Sequence, residues 1–107
     1  LKLKNNNYST ALMIDQRVSE GINSNFFNHR ALTTTIPAQL IKKFKIPVIP
    51  IFIERIEDIY FKITINKPIN FSDNVSTKEI TDHLNKSLEE MILTKPEHWI
   101  WSHNRWK

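Results

Sequence analysis

Short apolar runs separated by polar stretches set the expected elements of this chain. Thr10-Ala11-Leu12-Met13-Ile14 is apolar and ends in Asp15, the pattern of a buried strand with a polar residue at its carboxyl end. Residues 16–35 are mostly polar, carry Gly21 and several Asn and Ser, and predict a long loop punctuated by Phe26-Phe27. A loop of that length inside a compact domain is usually functional or disordered. A helix follows, with Pro37 suited to its first position and Ile36, Leu40, Ile41 and Phe44 on one face. Lys42, Lys43 and Lys45 project from the rest of that helix.

Ile46-Pro47-Val48-Ile49-Pro50-Ile51-Phe52-Ile53 is continuously apolar and rich in β-branched residues. That predicts a strand covered on both faces, as in a parallel sheet between helices. Pro47 and Pro50 cannot donate to a ladder, so pairing must begin late or run along an edge. Ile59, Phe61, Ile63 and Ile65 then alternate with Tyr60, Lys62 and Thr64, a half-buried strand hairpinned through Glu57-Asp58. Ser76-Thr77-Lys78-Glu79 reads as a capping box. The helix it opens has an apolar stripe of Ile80, Leu84, Leu88, Met91 and Ile92, and Pro96 stops or restarts it. No internal repeat or low-complexity segment occurs. The order gives an α/β class, with a partial sheet and flanking helices. Three strands and two helices are thin for independent stability, and the first strand lacks a preceding partner. An N-terminal part of the sheet is therefore expected to be missing.

Composition narrows the chemistry. At 107 residues, with 40% hydrophobic and 24% charged residues, the chain is one modest globular domain or a piece of one. Cys is 0, which excludes disulfides, thiolate metal sites and cysteine nucleophiles. The longest apolar run, Ile46 to Ile53, is too short to span a bilayer as a helix. The opening residues, with Lys2 and Lys4 and no following apolar region, do not form a secretory signal pattern. Ile, Lys and Asn together make up 38 of 107 residues, which reads as a nucleotide-level bias. Lysines are then weak signals, and Arg17, Arg30, Arg55 and Arg105 are stronger ones. The net charge of +4 resides wholly in residues 21–50, where Arg30, Lys42, Lys43 and Lys45 meet no acid. A solvated helix face explains this, as would a phosphate-bearing ligand or an anionic membrane surface. Nucleic acid is not expected, since no binding motif or aromatic–glycine platform is present.

Two constellations could carry chemistry. Asp15-Gln16-Arg17 follows an apolar run, and ligands gather at the carboxyl ends of strands in open α/β sheets. The alternative is an Asp that caps a turn. The tail holds Trp99, Trp101 and Trp106, costly rings to expose, which suit a lid or membrane-interface belt or else close over the core. At least two of them are expected to close over the core. His29, His83, His98 and His103 show neither H-E-x-x-H spacing nor the start of H-x-x-x-x-D/E, so no metal site is expected. A single glycine excludes a G-x-S-x-G elbow and a P-loop.

Five segments occur in a telling order: Ala11-Leu12-Met13-Ile14-Asp15-Gln16, Asn25-Phe26-Phe27, Ala31-Leu32-Thr33-Thr34-Thr35, Ile46-Pro47-Val48-Ile49-Pro50 and Pro96-Glu97-His98-Trp99-Ile100-Trp101-Ser102-His103-Asn104-Arg105-Trp106-Lys107. The set resembles the C-terminal half of the lipid A biosynthesis lauroyl and myristoyl acyltransferases, relatives of the glycerolipid acyltransferases. The resemblance implies that residues 1–107 are the C-terminal portion of one acyltransferase domain. It implies transfer of a fatty acyl chain from acyl carrier protein, or a CoA thioester, to a hydroxyl of a phosphorylated glucosamine disaccharide. No cofactor beyond that co-substrate is implied. The implied place is the cytoplasmic face of a bacterial inner membrane. The family's His/acid pair in H-x-x-x-x-D/E is absent from this sequence and expected upstream, with the membrane helix, so the chain alone should be inactive. By the same resemblance, Asp15, Gln16 and Arg17 occupy the place of the wider family's Glu-Gly-Thr-Arg block, linked to acceptor phosphate binding. Phe26 and Phe27 match an aromatic pair, with Asn28 in place of the usual Gly. Arg30 and Arg105 complete the candidate substrate-binding set, and Ile46–Pro50 is expected to be structural. A non-catalytic basic module that binds anionic lipid is the alternative from another class.

Overall fold

The computed structural model of the protein describes residues 8–106; Lys2, Lys4 and the Lys107 that closes the tail motif lie outside the described residues. It is a small α/β domain of two separate two-stranded antiparallel sheets and two helices. The first sheet pairs β1 (Ile22–Phe26) with β2 (His29–Thr33) in the register Ile22↔Thr33, Ser24↔Ala31, Phe26↔His29. Residues 16–35 are therefore not one long loop. Phe27 and Asn28 make a two-residue turn with φ of 50° and 61°, and positive φ at both central positions matches the right-handed twist of a hairpin. Asn28 accepts that conformation readily, and Phe27 accepts it at a cost. Gly21 stands where chain approach is closest: a Cβ built on it would lie 2.2 Å from the Thr33 carbonyl oxygen.

Helix α1 (Ile36–Phe44) begins at the predicted proline and ends on Lys45, whose left-handed φ of 54° lets its N–H donate to the Ile41 carbonyl at 2.8 Å. Its buried face is Pro37, Ala38 and Ile41, rotated from the expected stripe, and Ile36 points to solvent. Helix α2 (Thr77–Thr94) carries both halves of the capping box: Glu79 N–H donates to Ser76 Oγ at 3.1 Å, and Ser76 N–H donates to Glu79 Oε2 at 2.8 Å. Its apolar stripe is the spine of the molecule. Toward its N-terminus, Ile80 and Leu84 pack with Ala38 and Ile41, joined by Ile14, Val48, Phe71 and Val75. Toward its C-terminus, Ile92 packs with Phe26 and Ala31, joined by Phe27, Leu88, Trp99 and Trp106. Pro96 opens a short 3-10 turn, Pro96–His98, after α2 has ended.

Three strand expectations are corrected. Thr10–Ile14 forms no strand: Met13 is 79% exposed, and only Ile14 reaches the core. The Ile46–Ile53 run yields β3 (Ile51–Glu57) only after both prolines, preceded by an isolated bridge from Val48 to Ile69. Late pairing was expected, but burial on both faces was not found. β3 pairs antiparallel with β4 (Tyr60–Ile65), and Ile51↔Ile65 and Ile53↔Ile63 face outward. The face toward the body carries half-buried Phe52 and Thr64 and buried Glu54. Glu54 takes Lys62 at 3.7 Å and Lys95 at 3.5 Å, which ties the hairpin to the end of α2. The one buried position of the hairpin is thus an acid, tied outward to the chain beyond α2 by Lys95 alone among the described residues.

Gly21→Ala is expected to lower stability by about 1–3 kcal/mol, because the methyl must displace the Thr33 backbone rather than a movable side chain. A urea unfolding curve checks it, with the midpoint shifted down at unchanged slope.

Candidate functional site

The first hairpin is held on α2 by polar groups rather than by apolar burial alone. Asn85 is fully buried within the apolar stripe. Its Nδ2 donates to Ser24 Oγ at 2.8 Å and to Thr33 Oγ1 at 3.1 Å. Ser24 Oγ donates onward to Asp82 Oδ1 at 2.6 Å, and Thr33 Oγ1 donates to the Ala31 carbonyl at 3.1 Å. At the turn, Phe27 N–H donates to Glu89 Oε1 at 2.6 Å. Burial pushes the Asp82 carboxyl up, but hydrogen bonds from Lys78 and Ser24 outweigh it and leave the group below its ordinary value. The Ser76 hydroxyl, with the Ser76 N–H, likewise holds the Glu79 carboxyl below its ordinary value.

Onto this frame the tail folds back. Trp99, Trp101 and Trp106 cluster with Phe26 and Phe27: Trp99–Trp101 is edge-to-face at 4.7 Å between centroids, and Phe26–Trp106 is tilted by 30° at 5.7 Å. Trp106 Nε1 donates to the Phe26 carbonyl at 2.9 Å, and Trp101 Nε1 to the Pro96 carbonyl at 2.7 Å. Trp99 and Trp106 are half-buried against the core while Trp101 stays 48% exposed, so two rings close over the core. Between tail and turn lies an open concavity of about 650 Å³ lined by Phe27, His29, Arg30, Trp101 and Trp106. Aromatic rings and a guanidinium in one lining suit an anionic ligand with an apolar ring face.

The candidate residues read from sequence gather around the tail in different roles. Phe27 and Arg30 line the concavity. Phe26 is fully buried in the core beneath it, where its ring is unavailable to a ligand. Arg105 is 1% exposed and donates to the Leu32 carbonyl at 2.7 Å and to Thr33 Oγ1 at 2.9 Å. Burial lowers its guanidinium below the ordinary range, opposed by the charge of half-buried Asp15. Arg17 is exposed and its backbone N–H donates to His103 Nε2 at 3.2 Å, and Gln16 is exposed beside it. Asp15 and the Arg17 backbone thus meet the tail near Arg105 and at His103, while Phe27 and Arg30 line the concavity beside it, although no strand delivers Asp15. His29, Trp101 and Trp106 were not singled out as ligand-facing. Their signal was the ring density of the tail and the one His beside Arg30. Among the described residues, no group of three or more His, Asp or Glu is placed to hold a metal ion, and no helix is long and apolar enough to cross a membrane.

The family model for bacterial lipid A biosynthesis acyltransferase matches residues 1–107. The chain belongs to this family. An acyltransferase function of the lipid A type follows from that membership. No curated protein matches the sequence.

Both lowered carboxyls give acid-sensitive stability. Each contributes above its unfolded-state value, ordinarily 4.5 for Glu79 and 3.8 for Asp82, and is lost as pH falls through the lower folded value. Urea midpoints are expected to stay level from neutrality to about pH 5 and to drop below it. Asp82→Asn should flatten part of that acid limb.

Proposed function

We propose that this chain supplies the acceptor-side wall of an acyltransferase that moves a fatty acyl group from acyl carrier protein, or a CoA thioester, to a hydroxyl of a phosphorylated glucosamine lipid. The single observation that carries the reading is the concavity of Phe27, His29, Arg30, Trp101 and Trp106 within a chain of this family. Aromatic faces accept the apolar face of a sugar ring, and Arg30 supplies a planar, permanently charged contact for phosphate. Asp15, whose charge acts on Arg105, and Arg17, whose N–H meets His103, adjoin the same tail and in this reading extend the wall toward the headgroup. The proton-transferring His and its acid, in H-x-x-x-x-D/E, belong in this reading to an upstream part of the same domain. There the His removes the acceptor proton as general base. The reading places the assembled enzyme at the cytoplasmic face of a bacterial inner membrane, with acyl carrier protein and the phosphorylated glycolipid as partners.

The basic module for anionic lipid is less well supported. Lys42 Nζ donates to the Val75 carbonyl at 2.8 Å and Lys45 pairs with Asp73, so two of the three helix lysines already have partners within the chain.

Arg30→Ala in the complete enzyme is expected to raise KM for the phosphorylated acceptor about tenfold, the value of one charge-assisted hydrogen bond. KM for a dephosphorylated acceptor should stay unchanged, and equal effects on both acceptors would remove Arg30 from the phosphate site. Asp15→Ala is expected to cut activity with little change in thermal midpoint; parallel loss of both would make Asp15 a structural cap.

A further inference from the structure

Arg105 is a buried cation without a carboxylate in contact. Its Nη1 and Nη2 are spent on the Leu32 carbonyl and the Thr33 hydroxyl, its guanidinium carbon lies 5.5 Å from the Phe26 ring centroid, and its Nε has no partner. Burying a guanidinium this way is costly, so the position must require something an apolar residue would not provide. The requirement is visible in the chain around it. The tail leaves α2 at one end, accepts the Arg17 N–H on His103 Nε2 along its length, and is fixed at its far end by Arg105 and the adjacent Trp106. Between these anchors lie Trp99 and Trp101, and Trp101 and Trp106 form the indole side of the concavity that Arg105 itself does not line.

The far anchor ends on the Leu32 and Phe26 carbonyls and on one side-chain atom, Thr33 Oγ1. Thr33 Oγ1 gives its single proton to the Ala31 carbonyl and accepts from both Asn85 Nδ2 and Arg105 Nη2, so its hydrogen-bonding capacity is full. One hydroxyl therefore joins the hairpin, α2 and the tail. We infer that Arg105, through Thr33, is the positioning residue that sets the tryptophan wall of the concavity and thereby acceptor affinity, without touching the ligand. The link to affinity rests on the reading of the concavity as the acceptor site; the link to the tryptophans does not. Lys cannot replace Arg here, because one ammonium cannot span a carbonyl and a hydroxyl with fixed fork geometry.

The test uses Arg105→Lys, Thr33→Val and Thr33→Ser in the complete enzyme, with three readouts. These are the circular dichroism of the packed indoles, iodide quenching of tryptophan fluorescence, and KM against kcat for the phosphorylated acceptor. The expected result is that Arg105→Lys and Thr33→Val lose the indole signal, become open to iodide and raise KM about tenfold with kcat within about twofold, one hydrogen bond to a charged group being at stake. Thr33→Ser, which keeps the hydroxyl, should behave as the parent. Unchanged indole signal and quenching in both Arg105→Lys and Thr33→Val would overturn the proposal. So would indole signal lost only together with helical signal at the same urea concentration, since Arg105 would then be ordinary core. Indole signal lost with KM unchanged would uphold the role of Arg105 over the tryptophans and sink the acceptor reading of the concavity.

Discussion

The Thr33 hydroxyl is the point on which the arrangement of this molecule depends. The Asn85 amide from α2 and the Arg105 guanidinium from the tail converge on it, and it donates to a carbonyl of its own strand. Each bond adds only about 1 kcal/mol net. Removing the hydroxyl would leave Arg105 Nη2 without its acceptor, at about 1–3 kcal/mol and more because the group is charged, and would strip Asn85 Nδ2 of one of its acceptors while Ser24 Oγ remains. Such asymmetry selects one docking of hairpin on helix and one path for the tail. Apolar packing alone among Phe26, Ala31 and Ile92 would tolerate neighbouring registers.

Around that point the protein divides its labour. The N-terminal half of α2 holds α1 through side chains of modest size, and the C-terminal half holds the hairpin and the aromatic tail. Phe27 and Arg30 are thus carried on the hairpin, with the Phe27 N–H secured by Glu89, and Trp101 and Trp106 on the tail that packs against it. The second hairpin is tied differently. Glu54 and its two lysines hold its inner face, while Ile51, Ile53, Ile63 and Ile65 stand outward. Two strands alone are marginal in water, so the docking of that unit rests on the Lys95–Glu54 pair, half-buried Phe52 and Thr64, and the Asn66 contact to Met91.

Much of the fold was legible where a local rule acts alone. The capping box at Ser76–Glu79 formed both reciprocal bonds, Pro37 opened its helix, and Pro50 delayed the third strand. The family was legible in the tail, whose Trp and Arg spacing is specific. The first hairpin was not, because its turn uses Phe27-Asn28 rather than a glycine pair, and because Ser24 and Thr33 look like surface residues. Of the candidate site, Phe27 and Arg30 could be found from sequence. Phe26 and Arg105 were found too, but their burial turns them from ligand contacts into the scaffold beneath and behind the wall.

Sequence by itself determined which segments coil, where α2 starts, that no cysteine chemistry is available, and the family to which the tail points. These follow from dihedral preferences, capping and composition, which act within a few residues. Only the tertiary structure decided which face of each strand turns inward and which polar groups are buried. Those outcomes rest on partners 50 to 80 positions apart, such as Asn85 with Thr33 and Trp106 with Phe26, and no short-range pattern encodes such pairs. The isoleucines of the second hairpin show the limit most clearly: alternation marked two faces, and the one that turns inward carries Glu54, paired with Lys95 beyond the end of α2.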